Sequence, residues 1–264
     1  MNRTPKGPLV LMGVFTLLVL MSGCKGGTQD VESVQPKPVL AAPTTTMKPL
    51  TVEQRDQVLA VGVFRAADLG DGWTQMPMGS DKSLEIDTIT DLGGEENCQK
   101  LATTIFSVDN INKSRSEAFE APDGRLVQNS ITTFENSAQA DKLLTVLNRT
   151  DNRQCMDKAY EKAFARQLDK ITNDGSTLSN LRVRKVSVPS IGDNHAAFEI
   201  TLDLKDPKTQ LTRSILFTRV AVEVGPSIID FSLRANEHSF PNVLETIKPV
   251  VSRVNLCLGS GQCE

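Results

Sequence analysis

Hydrophobic and polar positions divide the chain into three zones. Leu9 to Met21 is an apolar run behind Arg3 and Lys6. Lys25 to Pro49 has no apolar periodicity at all. From Leu50 onward, periods of about four and of two residues alternate, the signatures of amphipathic helices and half-buried strands. Thr51-Val52-Glu53-Gln54 fits a capping box, and Val52, Leu59 and Val63 mark a helix running to about Phe64. Glu95 to Phe106 reads as a helix carrying Cys98. Ser114 to Ala121 and Leu126 to Phe134 read as two strands around the turn Pro122-Asp123-Gly124-Arg125, whose Asp-Gly pair suits positive φ. Glu135-Asn136-Ser137 then caps a helix from Ala138 to Asn148, with Ala140, Leu143, Leu144 and Leu147 on one face. A further helix is expected over Asp157 to Ile171.

The second half alternates more cleanly. Strands are expected over Leu181 to Val188, Ala196 to Leu204, Ser214 to Val224 and Ser227 to Arg234. The turns Asp206-Pro207-Lys208 and Gly225-Pro226 join the last three, which makes an antiparallel meander the economical topology. Along Ser214 to Val224 the apolar phase slips, from Ile215 and Phe217 to Val220, Val222 and Val224. Ser239 to Leu256 closes the chain as an amphipathic helix containing Pro249. The fold class that follows is α+β: an antiparallel sheet with helices packed mainly on one face, stapled by disulfides.

The N-terminal apolar run is too short for a mature bilayer span and has the layout of a secretory signal. It ends in L-L-V-L-M-S-G-C at Leu17 to Cys24, where the small pair Ser22-Gly23 leads straight into a cysteine. This resembles a bacterial lipobox, with Met21 where leucine is usual. It implies removal of residues 1–23 and lipidation of Cys24. The alternatives are an ordinary signal peptide with a cysteine near its end, or an uncleaved anchor. Residues 24–49 then form a Pro- and Thr-rich tether, with prolines at 36, 38, 43 and 49. Such a segment favours extended geometry and could reach roughly 80 Å. Residues 50–264 are expected to form a single globular domain.

Cysteine parity fits this reading. With Cys24 given to lipid, Cys98, Cys155, Cys257 and Cys263 remain, an even number for an oxidising compartment. Of the three possible pairings, Cys98–Cys155 with Cys257–Cys263 is preferred. The latter two bracket Leu-Gly-Ser-Gly-Gln, a loop flexible enough to close.

Charge and composition narrow the partners. Loss of Arg3 and Lys6 with the signal takes the formal charge from −3 to −5. A mildly acidic body without a basic run argues against nucleic acid. One Trp and one Tyr argue against an aromatic cage or a carbohydrate-stacking surface. Trp73, beside the Gly70 and Gly72 turn, reads as a core anchor.

Catalytic and metal motifs are missing. His195 and His238 are the only histidines and neither has a metal-ligand spacing. No C-x-x-C pair, nucleophile elbow, P-loop or dinucleotide fingerprint occurs. Gly259-Ser260-Gly261 is too short and lies inside the expected disulfide loop. Acidic pairs such as Asp68 with Asp71, or Asp91 with Glu95 and Glu96, read as solvated charges without calcium-loop spacing. The expectation is therefore no catalytic residues, no metal and no cofactor. An enzyme built on distant carboxylates would leave no local motif.

Three stretches carry a family resemblance: F-R-A-A-D-L-G-D-G-W at Phe64, F-E-N-S-A-Q-A-D-K-L-L at Phe134 with Cys155 beyond it, and P-S-I-G-D at Pro189 before R-V-A-V-E-V-G at Arg219. Their order resembles the extracytoplasmic sensor-like domain of PknH-type receptor kinases of actinobacteria, here as a stand-alone lipoprotein. The resemblance implies a compact disulfide-bonded domain with a cleft for an unknown small ligand or envelope component. The functional expectation is a non-enzymatic, ligand-binding or sensor-like lipoprotein, held by acyl chains such as palmitate on the outer face of the cell membrane. The alternatives are a module docking another envelope protein, and an envelope hydrolase.

Overall fold

The computed structural model describes residues 49–76, 112–148, 155, 157–158, 177–236, 239–261 and 263. The signal and tether, Cys24, Cys98, His238 and the helices expected over Glu95 to Phe106 and Asp157 to Ile171 lie wholly or largely outside them.

The described elements in chain order are α1 (Val52–Val61), α2 (Ala66–Leu69), β1 (Thr74–Met76), β2 (Asn112–Arg115), β3 (Ala118–Glu120), β4 (Leu126–Thr133), α3 (Ser137–Asn148), β5 (Thr177–Lys185), β6 (Asn194–Lys205), β7 (Thr212–Val224), β8 (Ser227–Asn236) and α4 (Val243–Ser260). Eight strands make one sheet in the order β1-β3-β4-β8-β7-β6-β5, with β2 also paired to β4. Every pairing is antiparallel, and β6, β7 and β8 form the expected meander. The fold is α+β.

Local chemistry sets the element ends. At α1, Thr51 Oγ1 accepts from Gln54 N at 3.2 Å while Gln54 Oε1 accepts from Thr51 N at 3.0 Å, completing the capping box. At α3, Asn136 Oδ1 accepts from Gln139 N, and Gln139 Oε1 accepts from Glu135 N. Helix α4 begins four residues later than the pattern suggests, because Asn242 is left-handed at φ 50°. It runs through Pro249 and ends at Gly261, also left-handed, whose N–H donates to Cys257 O. Cys257 is buried and bonded to Cys263, so the disulfide closes over the helix end. Cys155 is buried and disulfide-bonded. Its expected partner, Cys98, lies outside the described residues.

Two apolar clusters sandwich the sheet. One joins Val58, Val61 and Phe64 with Ile229, Phe231 and the α4 row Ile247, Val250, Val251 and Val254. The other joins Phe134 and the α3 residues Ala140, Leu143 and Leu144 with Ile200, Leu202 and Phe217. The phase slip along β7 now has a physical cause. Ile215 and Phe217 face α3, Val220, Val222 and Val224 face the other cluster, and the strand is buried throughout from Phe217. Val52, expected on the buried stripe of α1, is instead 62% exposed, since that stripe is carried by Val58 and Val61. Trp73 is half-buried, packed against the first cluster with the Arg125 guanidinium over its ring at 5.5 Å, and is not a core anchor.

The loop after α1 is held from two remote places. Asn129 on β4 accepts from Phe64 N through Oδ1 and donates to Gly62 O through Nδ2, each at 2.7 Å. Arg253 on α4 donates to Val61 O and Val63 O, each at 2.8 Å, and forms an ion pair with Asp68 of α2. Asp68 Oδ2 in turn accepts from Arg65 N. A side chain at Gly62 would collide with Ile131 and the Val58 carbonyl. The F-R-A-A-D-L stretch is thus a docking segment.

Opposite α1 and α4, Glu223 is buried at the end of β7. Desolvation, then the carboxylates of Asp141 and Asp193, push its pKa up to about 7. Asp193 belongs to the P-S-I-G-D turn. Its N–H donates to Glu223 O, and its Oδ2 accepts from Gly225 N. Gly192 there is left-handed, and a side chain on it would strike the Glu223 carbonyl.

Two outcomes follow for stability. Asn129→Ala should cost about 2–3 kcal/mol and Arg253→Met about 3–5 kcal/mol, because each strands buried polar groups, and denaturant titration measures both. A raised carboxyl pKa means that the folded chain holds the proton more tightly than the unfolded one. That stability is full below about pH 4.5 and is lost as pH rises through about 7. Thermal melts across this range should show the decline, and Glu223→Gln should flatten it and raise the melting temperature at pH 8.

Candidate functional site

The sheet face opposite α1 and α4 has two halves. Over β5, β6 and β7 it is apolar and covered by α3. Over β2, β4 and β8 it turns polar, and the described residues there line a small cleft.

The register places the lining. Arg115 on β2 lies opposite Ser130 on β4, and Ser130 lies opposite Asp230 on β8. Gln128 lies opposite Ser232, which lies opposite Arg219 on β7. Lys113, two residues before Arg115, shares its side of the strand. All of these line the cleft.

One irregularity makes the arrangement possible. Between Arg115 of β2 and Phe119 of β3 the chain takes four steps while β4 takes three, from Ser130 to Val127. The extra residue is a β-bulge that reverses side-chain parity. Phe119 therefore enters the core beside α1 and α4, while Arg115 turns to the cleft. Ser116 secures the bulge: its N–H donates to Asn129 O at 2.9 Å, its Oγ accepts from Asn129 N at 3.0 Å, and its carbonyl accepts from Gln128 Nε2 at 3.2 Å.

Arg219 forms the floor. It is 7% exposed, and it reaches both carboxylate oxygens of Asp230, with Nε donating to Oδ1 at 3.2 Å and Nη2 donating to Oδ2. A buried guanidinium needs such a partner, and the bidentate fork also fixes its orientation. Half-buried Arg115 and exposed Lys113 stand at the rim. The described lining residues include the cations Lys113, Arg115 and Arg219 and the carboxylate Asp230.

The residues singled out from sequence do not gather here. His195 lies at the start of β6, half-buried, and its carbonyl oxygen accepts from Asn148 Nδ2. Asp68, one of the acidic pair with Asp71, is consumed by Arg253. Ser260 Oγ donates to Leu256 O and belongs to the end of α4. Glu223 is outside the cleft lining. Among the described residues no group of three or more His, Cys, Asp or Glu is placed to hold a metal, and no helix is long and apolar enough to cross a membrane. Sequence reading missed Lys113, Arg115 and Arg219. The one available signal was Arg219, a charge between the apolar stretches Ile215 to Phe217 and Val220 to Val222.

Comparison with known proteins gives a distant likeness. No protein-family profile matches the chain. No characterised protein matches it by sequence. Among solved structures, the extracellular domain of PknH from Mycobacterium tuberculosis superposes with a TM-score of 0.38 and 10% identity, over 78% of this chain and 97% of that one. A Pseudomonas aeruginosa protein of unknown function, PA94, superposes with a TM-score of 0.17 and 16% identity, over 48% of this chain and 69% of that one.

Proposed function

We propose that this chain is an extracytoplasmic lipoprotein, anchored through Cys24 to the outer face of the cell membrane, whose body binds a ligand without transforming it. The observation that carries the binding reading is the polar cleft floored by the buried Arg219–Asp230 pair. A buried ion pair adds little to stability. It is well suited to present fixed charge to a visitor. The anchor reading rests on the basic start, the apolar run and Ser22-Gly23-Cys24. One acyl chain holds a protein weakly, so a multiply acylated Cys24 is the form that would stay on the membrane. The proline-rich tether would then hold the cleft clear of the lipid surface.

Both halves of the reading can be tested on the full-length chain. Expressed in a host that processes bacterial lipoproteins and fed an alkyne fatty acid, the wild type should be labelled and sediment with membranes, and Cys24→Ala should be neither. Labelling that persists in Cys24→Ala would overturn the anchor. Native mass spectrometry of the detergent-extracted protein should show a defined small mass that leaves on collisional activation. A clean apo mass from its own host would shift the reading to protein docking.

A further inference from the structure

We propose that α3 is a pH-governed lid, seated on the sheet while the Glu223 carboxyl is protonated and released when that carboxyl ionises. Three features point to this. The first is a buried acid without a donor. Glu223 is 5% exposed, and among the described residues no hydrogen bond or ion pair reaches its carboxyl. A carboxylate buried in this way is costly, whereas the neutral acid is tolerated. Its surroundings supply no counter-charge. The register puts Asn194 of β6 and Ile228 of β8 on either side of it. Beyond Ile228 the row runs through Thr132 to Lys113 on β2, about 14 Å away at the spacing of three strands. On its own strand the nearest charge on this face is Arg219, which is engaged by Asp230 of β8. Helix α3 brings Asp141, and the P-S-I-G-D turn brings Asp193, both of them like charges. Lys142, beside Asp141, is exposed.

The second feature is that one of these two neighbours is fixed. Asp193 N–H donates to Glu223 O at 2.8 Å, and Asp193 Oδ2 accepts from Gly225 N at 2.6 Å. Gly192 is packed so closely that a Cβ on it would stand 2.3 Å from Glu223 O. The turn therefore cannot retreat from an ionised Glu223, and relief has to come from α3.

The third is that α3 is lightly held. It buries Ala140, Leu143 and Leu144, against five residues buried by α4. Ala140 and Leu144 share a cluster with Ala221 and Ile228, which flank Glu223 along and across the strands. Polar ties lie at the far end, where Asn148 Nδ2 donates to His195 O at 3.0 Å and Lys185 Nζ donates to Asn148 O at 3.3 Å. An element with few buried contacts opens at less cost than the whole fold. The sign follows from the acid. Under the seated helix its pKa is raised from 4.5 to about 7, by desolvation first and then by the two carboxylates. Seating is full below about pH 4.5 and is lost as pH rises through about 7. Lifting uncovers the apolar sheet face that includes Ile200, Phe217 and Ala221.

Hydrogen exchange of the full-length protein in uncharged detergent micelles, read by mass spectrometry from pH 5 to pH 8 and corrected for intrinsic rates, tests the lid. Amides of α3 should exchange through an opening at least about tenfold more frequent than that of α4. Their protection should fall about tenfold or more between pH 5 and pH 8. Glu223→Gln should keep at pH 8 the protection that the wild type has at pH 5. Asp141→Asn, at an exposed side chain, leaves the core untouched and should make the fall smaller than in the wild type. The proposal is overturned by α3 protection that is flat with pH, or by α3 and α4 opening together at every pH. A fall that survives in Glu223→Gln, or is undiminished in Asp141→Asn, overturns it equally.

Discussion

Everything on the α1 side of the sheet depends on the four backbone groups between Val61 and Phe64. The chain must bend there, beneath two helices, where water cannot satisfy what the bend exposes. An unpaired buried amide or carbonyl costs more than an ordinary hydrogen bond returns. Asn129 and Arg253 take all four: the carbonyls of Val61, Gly62 and Val63, and the N–H of Phe64. Gly62 lets the loop come this near, since any side chain there would strike Ile131. Phe64 can then pack edge-on against Phe231, with ring centroids 5.4 Å apart, and α2 can bring Asp68 to Arg253. Remove either side chain and the loop has no dry conformation.

On the opposite face the governing fact is parity. A strand shows alternate residues to alternate sides, so a single extra residue exchanges the two sets. The edge strand uses this once, at Ser116 and Glu117. Before the bulge its outward positions serve the cleft; after it, Phe119 serves the core. The anchoring of that bulge by Asn129 ties the two faces together, because the same residue that holds the α1 loop through its side chain holds Ser116 through its backbone. The cleft and the helical layer are built on one asparagine.

Most of the fold was legible in the sequence. The capping box at Thr51, the Asp-Gly turn, the cap at Asn136 and the three meander strands follow from local chemistry, and local chemistry is what a sequence exposes. The Cys257–Cys263 bond was readable for the same reason, since a short glycine-bearing loop can hardly do otherwise. The errors were at places where tertiary context decides. Val52 looks like a stripe residue until the reach of the core is known. Trp73 looks like a core anchor until Arg125 is seen stacked upon it. The cleft was not legible, because it needs a bulge that leaves no residue signature. Glu223 was hidden similarly. Its raised pKa arises first from burial and then from Asp141 and Asp193, which lie 82 and 30 positions away and meet it only through α3 and the P-S-I-G-D turn.

The grip of Arg253 on Val61 and Val63 spans almost the whole folded body, joining its last helix to its first. A chain delivered N-terminus first, by the ribosome or through a secretion channel, presents α1 long before α4 exists. Until then the α1 loop has half of its partners missing and Asp68 has no counter-charge. The first helix must wait for the last, and contacts of such long range are slow to form. Assembly of this layer therefore follows the arrival of α4. A nascent molecule held partway out would keep the apolar side of β4 and β8 uncovered, and that exposed sheet is what a holding chaperone would have to recognise.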